Sequence, residues 1–222
     1  MNKLNISSHQ EVSDNARELF MRAYENRYYW PKEFKGYKGN CSFHYLDTIS
    51  HGRFIVKQDF SVDILNIKDQ NISSLIKQQL FEIVIHRVYR PFEKVHAMNT
   101  FSLGNKTPFG KEILVGGKSM GDKYCIKDNI ITMVSRNIQG KLIKIFTQST
   151  IDTNNGYIPK AYESQYFDPI SSEPLSRKLS IQDDFILIHD SPTWVLSSRV
   201  IKEKINSDVS EKKFLFNSFV IC

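Results

Sequence analysis

The sequence has no uninterrupted apolar run approaching the ~20 residues of a membrane-spanning helix. Its start, MNKLNISSHQEVSDNAREL, lacks the apolar core of a secretory leader. The expected location is therefore cytoplasmic, with no membrane span. Cysteine is scarce: Cys41, Cys125 and Cys222 are odd in number, far apart and form no Cys-x-x-Cys pair. That argues against a disulfide framework and against a thiolate zinc site. Without a secretory context, the Asn-x-Ser/Thr triplets at Asn5, Asn71 and Asn105 carry no glycosylation signal. Charge of one sign is never concentrated. The formal net charge is +6, but acidic residues interrupt the basic ones, as in Lys202-Glu203-Lys204 and Glu211-Lys212-Lys213. A nucleic-acid reader gathers its basic residues, so no nucleic-acid partner is expected, whereas peripheral contact with an anionic membrane surface is compatible with this charge.

Catalytic signatures are missing too. Gly116-Gly117-Lys118-Ser119 ends like a phosphate-binding loop, but position 112, where the first glycine belongs, is Glu112, and the segment reads as a strand turn. No Gly-x-Ser-x-Gly elbow and no His pair at helical spacing occurs. His44 and His51 flank a hairpin without a third ligand, so no metal is expected. Asp183 and Asp184, adjacent on a strand, point to opposite faces and cannot act as a close pair. No catalytic residue and no cofactor is assigned.

What is present is enough apolar residue for a core: 41% hydrophobic and 24% charged side chains in 222 residues, within the range of one domain. A flexible N-terminal segment is expected over 1–12 and a single domain over 13–222. Ser13 or Asp14 can cap a helix whose apolar positions Ala16, Leu19, Phe20 and Ala23 recur at helical spacing; Pro31 stops it, which predicts a helix over about Ser13 to Trp30. A second helical period runs from Asp69 to Arg90, with Ile72, Ile76, Leu80, Ile83, Val84 and Arg87 on one face and Gln79, Glu82 and His86 on another. The rest alternates like strands, separated by turn-forming pairs such as Asp128-Asn129, Gln139-Gly140, Asn155-Gly156 and Asp168-Pro169. This order predicts an α+β fold: one large curved antiparallel sheet, half-barrel or barrel-like, with two helices packed on its concave face.

One segment stands out, RAYENRYYWPKEFKGYKGN over 22–40. Tyrosine and tryptophan join an apolar ring to a polar tip, so they suit a ligand rim and a helix-to-sheet anchor alike. Tyr24 and Tyr28 share a helical face, and Arg27 can reach an acidic group. The candidate ligand-binding residues are Tyr24, Arg27, Tyr28 and Trp30, with packing as the competing role.

The phrases ARELFMRAYENRYYW, GYKGN, HAMNTFSLG, EILVGGKSMGDKYCIKDNIITMVSR and NNGYIPKAYES, in that order, resemble a cyanobacterial and plastid-associated family known only as a domain of unknown function. The resemblance covers Ala16 to Glu163 and weakens after Ser171. It supplies no catalytic residues. It implies a photosynthetic organism, and lipoprotein carriers and bilin lyases of similar helix-plus-half-barrel architecture enclose apolar ligands. By that analogy the expected function is a non-enzymatic binding or carrier protein for an amphipathic ligand: a lipid, carotenoid or tetrapyrrole. The alternatives are an assembly factor that binds a photosynthetic protein partner and a bilin lyase-like enzyme that attaches a chromophore.

Overall fold

The computed structural model describes residues 15–189, 191–205 and 208–222. The segment 1–12 and the expected caps Ser13 and Asp14 lie outside the described residues. Helix α1 spans Ala16–Glu25, and its cap is Asn15, whose side chain accepts from the Arg17 N–H at 3.0 Å. The apolar spacing seen in the sequence buries Ala16, Leu19, Phe20, Ala23 and Tyr24. The helix ends at Glu25 and does not run to Trp30, because the next residues pair with a strand instead. Tyr157 N–H donates to Asn26 O at 2.9 Å, and Tyr28 N–H to Tyr157 O at 2.9 Å. Tertiary pairing here overrides local helical spacing.

Helix α2 spans Gln70–Arg87, capped by Asp69, which accepts from the N–H groups of Asn71 and Ile72. It stops short of Arg90 because Val88 is already extended. The apolar face buries as expected, but Gln79 is buried with it. A third helix that periodicity missed, α3, spans Phe92–His96 and begins after Pro91. Five residues are too few to show a helical period, although proline just before a helix is a start signal.

The strands are β1 (Tyr37–Tyr45), β2 (Thr48–Val56), β3 (Val62–Leu65), β4 (Asn99–Thr107), β5 (Gly110–Gly117), β6 (Lys123–Lys127), β7 (Ile130–Ile138), β8 (Lys141–Asp152), β9 (Tyr157–Phe167), β10 (Leu179–Leu187), β11 (Trp194–Ile205) and β12 (Asp208–Ile221). Among the described residues they form one open antiparallel sheet in the order β3-β2-β1-β12-β11-β10-β9-β8-β7-β6-β5-β4. Tight hairpins follow the turn chemistry: Asp128 and Asn129 both take positive φ, 52° and 57°, as do Gln139 and Gly140 at 51° and 76°. Register shifts between β8 and β9 and between β10 and β11 add local bend to a sheet that twist already curves. The result is a half-barrel with the helices on its concave face.

That face carries two separate cores. One lies under α2 and the 28–34 segment, around Trp30, Tyr37, Phe54, Ile76, Leu80 and Phe214. The other lies under α1 and α3, around Phe20, Tyr24, Phe92, Ile113, Tyr124 and Ile126. The principal helix contacts fall on β1 and β3 for α2 and on β4, β6 and β7 for α1. The middles of β8 and β9 are left between them, whereas Ile151 and Ile158 at their shared end belong to the first core.

A cleft between two cores

Cross-strand register defines the floor of this gap. Thr147 pairs with Tyr162, Ile145 with Ser164 and Ile143 with Tyr166, and paired residues share a face. Through Val134 and Arg136 the same face continues to Tyr124 in the second core. In the other direction Tyr162 pairs with Ile181, and Arg199 reaches its hydroxyl at 3.0 Å. The floor is therefore the concave face itself. Ile143, Ile145, Thr147, Tyr162 and Ser164 are only half-buried, and Tyr166 is exposed, although they sit in the middle of the sheet. Arg199 covers the Tyr162 hydroxyl, and the rest of the row stays partly open to water.

One wall of the cleft is the flank of α2. Gln79 and Glu82 both accept from Arg199, at 3.1 and 2.5 Å, and Asp183 takes a bidentate fork from the same guanidinium at 2.7 Å for each bond. Arg199 and Asp183 are each 2% exposed. Burial works against the Arg199 charge, but Tyr162, Asp183 and Glu82 outweigh it and raise its pKa. A buried pair of this kind survives because fork geometry and extra acceptors compensate desolvation. Asp184 points to the opposite face, toward Lys160 and Ser198, as strand alternation requires. The pairing of Asp183 with Arg199 was not readable locally, since the partners meet only once β10 and β11 are in register; the clue was the lone basic residue between Ser198 and Val200.

One helical turn along α2, His86 is exposed; the protein packed around it first, and then Arg87, Arg27, Arg199 and Arg90, lower its pKa. Arg136 on the opposite side of the floor is held by Asp122 at 2.9 Å.

The end of α1 and the chain after it close one end of the cleft, and they contain the four candidate ligand residues. Tyr24 packs into the second core and donates its hydroxyl to Arg90 O at 3.1 Å. Tyr28 and Trp30 are buried in the first core, 2% and 4% exposed. The Tyr28 hydroxyl donates to Pro192 O at 3.2 Å and accepts from Trp194 N–H at 3.0 Å. Trp30 Nε1–H donates to Trp194 O at 2.9 Å. These three aromatics thus anchor the segment that bridges the two cores. Arg27 alone of the four combines charge with partial exposure. Its guanidinium lies 3.7 Å from the Tyr24 ring centroid and donates to Tyr24 O at 3.0 Å and to the Tyr29 hydroxyl at 2.5 Å. Gly156 permits the close approach of this segment to β9, for a Cβ there would meet Asn26 O at 2.6 Å.

Other sequence features resolve as structure. Gly116 and Gly117 end β5, and Lys118 and Ser119 open the turn to β6, in which Lys118 N–H donates to Met98 O and Ser119 N–H to the Asn99 side chain. His44 and His51 approach with ring centroids 6.3 Å apart, while among the described residues no group of three potential ligands gathers around a metal position. Two grooves lie outside the cleft. One of about 540 Å³ is lined by Leu19, Lys106, Lys111 and Lys127; the other, about 530 Å³, lies on the convex side against Phe109, Phe146 and Phe167.

Fold and cleft together define an α+β half-barrel whose concave face is covered at both ends and open in the middle. The chain belongs to the family described as protein of unknown function (DUF3386), whose profile matches residues 11–221. That match extends through the C-terminal strands, where the sequence phrases were weakest. Among curated proteins, none matches. Among solved structures, the chain is similar to a LolA superfamily protein from Nitrosomonas europaea, at 9% identity, TM-score 0.34, and 95% and 94% coverage of the two chains. It is also similar to a DUF1329 family protein from Desulfovibrio piger, at 9% identity, TM-score 0.30, and 93% and 91% coverage. Overlap this loose carries neither ligand nor activity across.

Proposed function

We propose that the protein is a non-enzymatic, cytoplasmic carrier that holds an amphipathic ligand in the cleft over β8 and β9. The carrying observation is the half-exposed row Ile143, Ile145, Thr147 and Tyr162 at the centre of a sheet whose two ends are tightly covered. An interior sheet face left without a cap exposes apolar surface that a ligand would remove from water. From Tyr162 to Tyr166 strand β9 offers about 13 Å of open track, which suits an acyl chain or part of a carotenoid or tetrapyrrole. The resemblance of the sequence phrases to a cyanobacterial and plastid-associated family favours a pigment or a thylakoid-type lipid among these.

The test is native mass spectrometry of freshly purified protein, followed by titration with Nile red, a neutral apolar dye. The expected outcome is dye binding that Ile145→Glu abolishes while the unfolding midpoint moves little, since Ile145 is only half-buried. Dye binding that is unaffected by this substitution would sink the cleft as the binding surface.

A further inference from the structure

The charges around the cleft do not balance, and the imbalance has a location. Arg199 is answered by Asp183 and Glu82, and Arg136 by Asp122. Among the described residues no carboxylate forms an ion pair with Arg27 or Arg87, although the field of Asp183 reaches Arg87 and partly offsets its burial. Arg27 is held by a carbonyl, a phenol and the face of Tyr24. Glu25, the nearest acidic neighbour in sequence, accepts instead from Phe92 N–H at 3.0 Å. Arg87 is 4% exposed, donates to Tyr28 O at 3.2 Å, lies over the Phe185 ring, and has an Nε with no hydrogen-bond partner.

Both cations lie at the same end of the track, where the 27–30 segment meets the last turn of α2: Arg87 donates to Tyr28 O at 3.2 Å and Trp30 N–H to Arg87 O at 2.8 Å. Holding unneutralised guanidinium groups partly out of water is costly, and an anion arriving between them relieves that cost with charge-assisted hydrogen bonds. Arginine is suited to this because its planar fork matches an oxyanion while its flat faces rest on aromatic rings. At the opposite end of the track the cation beside Ile143 is Arg136, which Asp122 already answers at 2.9 Å.

We propose that the cleft binds its ligand in one orientation, with a single oxyanion head group, a carboxylate or a phosphate monoester, against Arg27 beside His86 and the apolar tail along Ile145 and Ile143. This rests on the carrier reading and adds to it the charge and the direction of the ligand.

The experiment is displacement of Nile red by laurate, dodecyl phosphate and dodecanol, which share a tail and differ at the head. The two anions should displace the dye at roughly tenfold lower concentration than the alcohol. Arg27→Gln should remove that advantage and leave dodecanol unchanged. Arg27→Lys should restore part of it, and Tyr29→Phe, which keeps the charge but frees the guanidinium from its phenol, should lose less than Arg27→Gln. The ratio of laurate to dodecyl phosphate separates a carboxylate site from a phosphate site. Equal displacement by all three probes, unchanged by Arg27→Gln, would overturn the head-group assignment and leave the carrier intact. No dye binding and no displacement by any probe would overturn both.

Discussion

The two cores of the half-barrel are made of different chemistry. Under α1 and α3 the packing is ring on ring: Phe20 lies 4.3 Å from Tyr124 and 5.1 to 6.3 Å from Tyr24, Phe92, His96 and Phe101. His96 is part of that cage, 7% exposed, with Nδ1 3.0 Å from the Asn99 amide. Under α2 the packing mixes aliphatic side chains with a buried ion pair and a tryptophan hydrogen bond. The first arrangement depends on an imidazole staying uncharged, the second on a guanidinium staying charged. The lesson is that one sheet can be covered at its two ends by solutions that fail under opposite conditions.

The largest effects should come from emptying either core. Trp30→Ala and Phe20→Ala should each cost about 3–5 kcal/mol, with Trp30 toward the upper end because Trp194 O loses its donor. Urea unfolding measures the size, and amide exchange locates it: β10 to β12 should exchange first in Trp30→Ala, β5 to β7 first in Phe20→Ala. Identical exchange patterns would erase the distinction between the cores.

Next comes the ion pair. Asp183→Asn should cost about 3 kcal/mol, since breaking a buried pair leaves the surviving charge without compensation. The double variant Asp183→Asn with Arg199→Met should recover part of that loss. If the double variant is as unstable as the sum of both single ones, the two groups are not coupled.

The smallest effect concerns acid. Burial first, and then Arg136, Arg27 and Arg17, lower the His96 pKa from 6.5 to about 4. The unfolded chain therefore takes up this proton near pH 6.5 and the folded one only near 4, so His96 favours the folded state above that window and loses stability as pH falls through it. His86 shifts in the same direction but keeps contact with water, so its share is smaller. The unfolding midpoint should drop between pH 6.5 and 4, and His96→Gln should flatten the drop. An unchanged slope in that variant would place the acid sensitivity elsewhere.

Much of this architecture was legible in the sequence. The period of Ile76, Leu80, Ile83 and Val84 located α2, and alternation with turn pairs such as Asp128-Asn129 located the hairpins, because both signals are local. What was not legible was decided by distant partners. The early end of α1 is set by Tyr157, the burial of Gln79 by Arg199, and the gap over β8 and β9 by where the two helices land. Of the candidate site residues, the chemistry of Arg27 was readable, but the anchoring of Tyr28 and Trp30 depends on Pro192 and Trp194, more than 160 residues further along the chain.

Strand order has a consequence for synthesis. The first strand, β1, sits in the interior of the sheet and pairs with the last, β12, from Tyr37 opposite Ile221 to Tyr45 opposite Lys212. On the ribosome β1, β2, β3 and α2 emerge early, but their neighbour on the sheet is translated only after β4 to β11. Until then β1 presents a bare edge of the kind that attracts unrelated chains. The α1 end, from β4 to β9, is built from consecutive hairpins and can form as it emerges. Folding of the α2 end is thus a closure from head to tail, and a nascent chain that stalls before β12 strands one half of the barrel with its interior seam open.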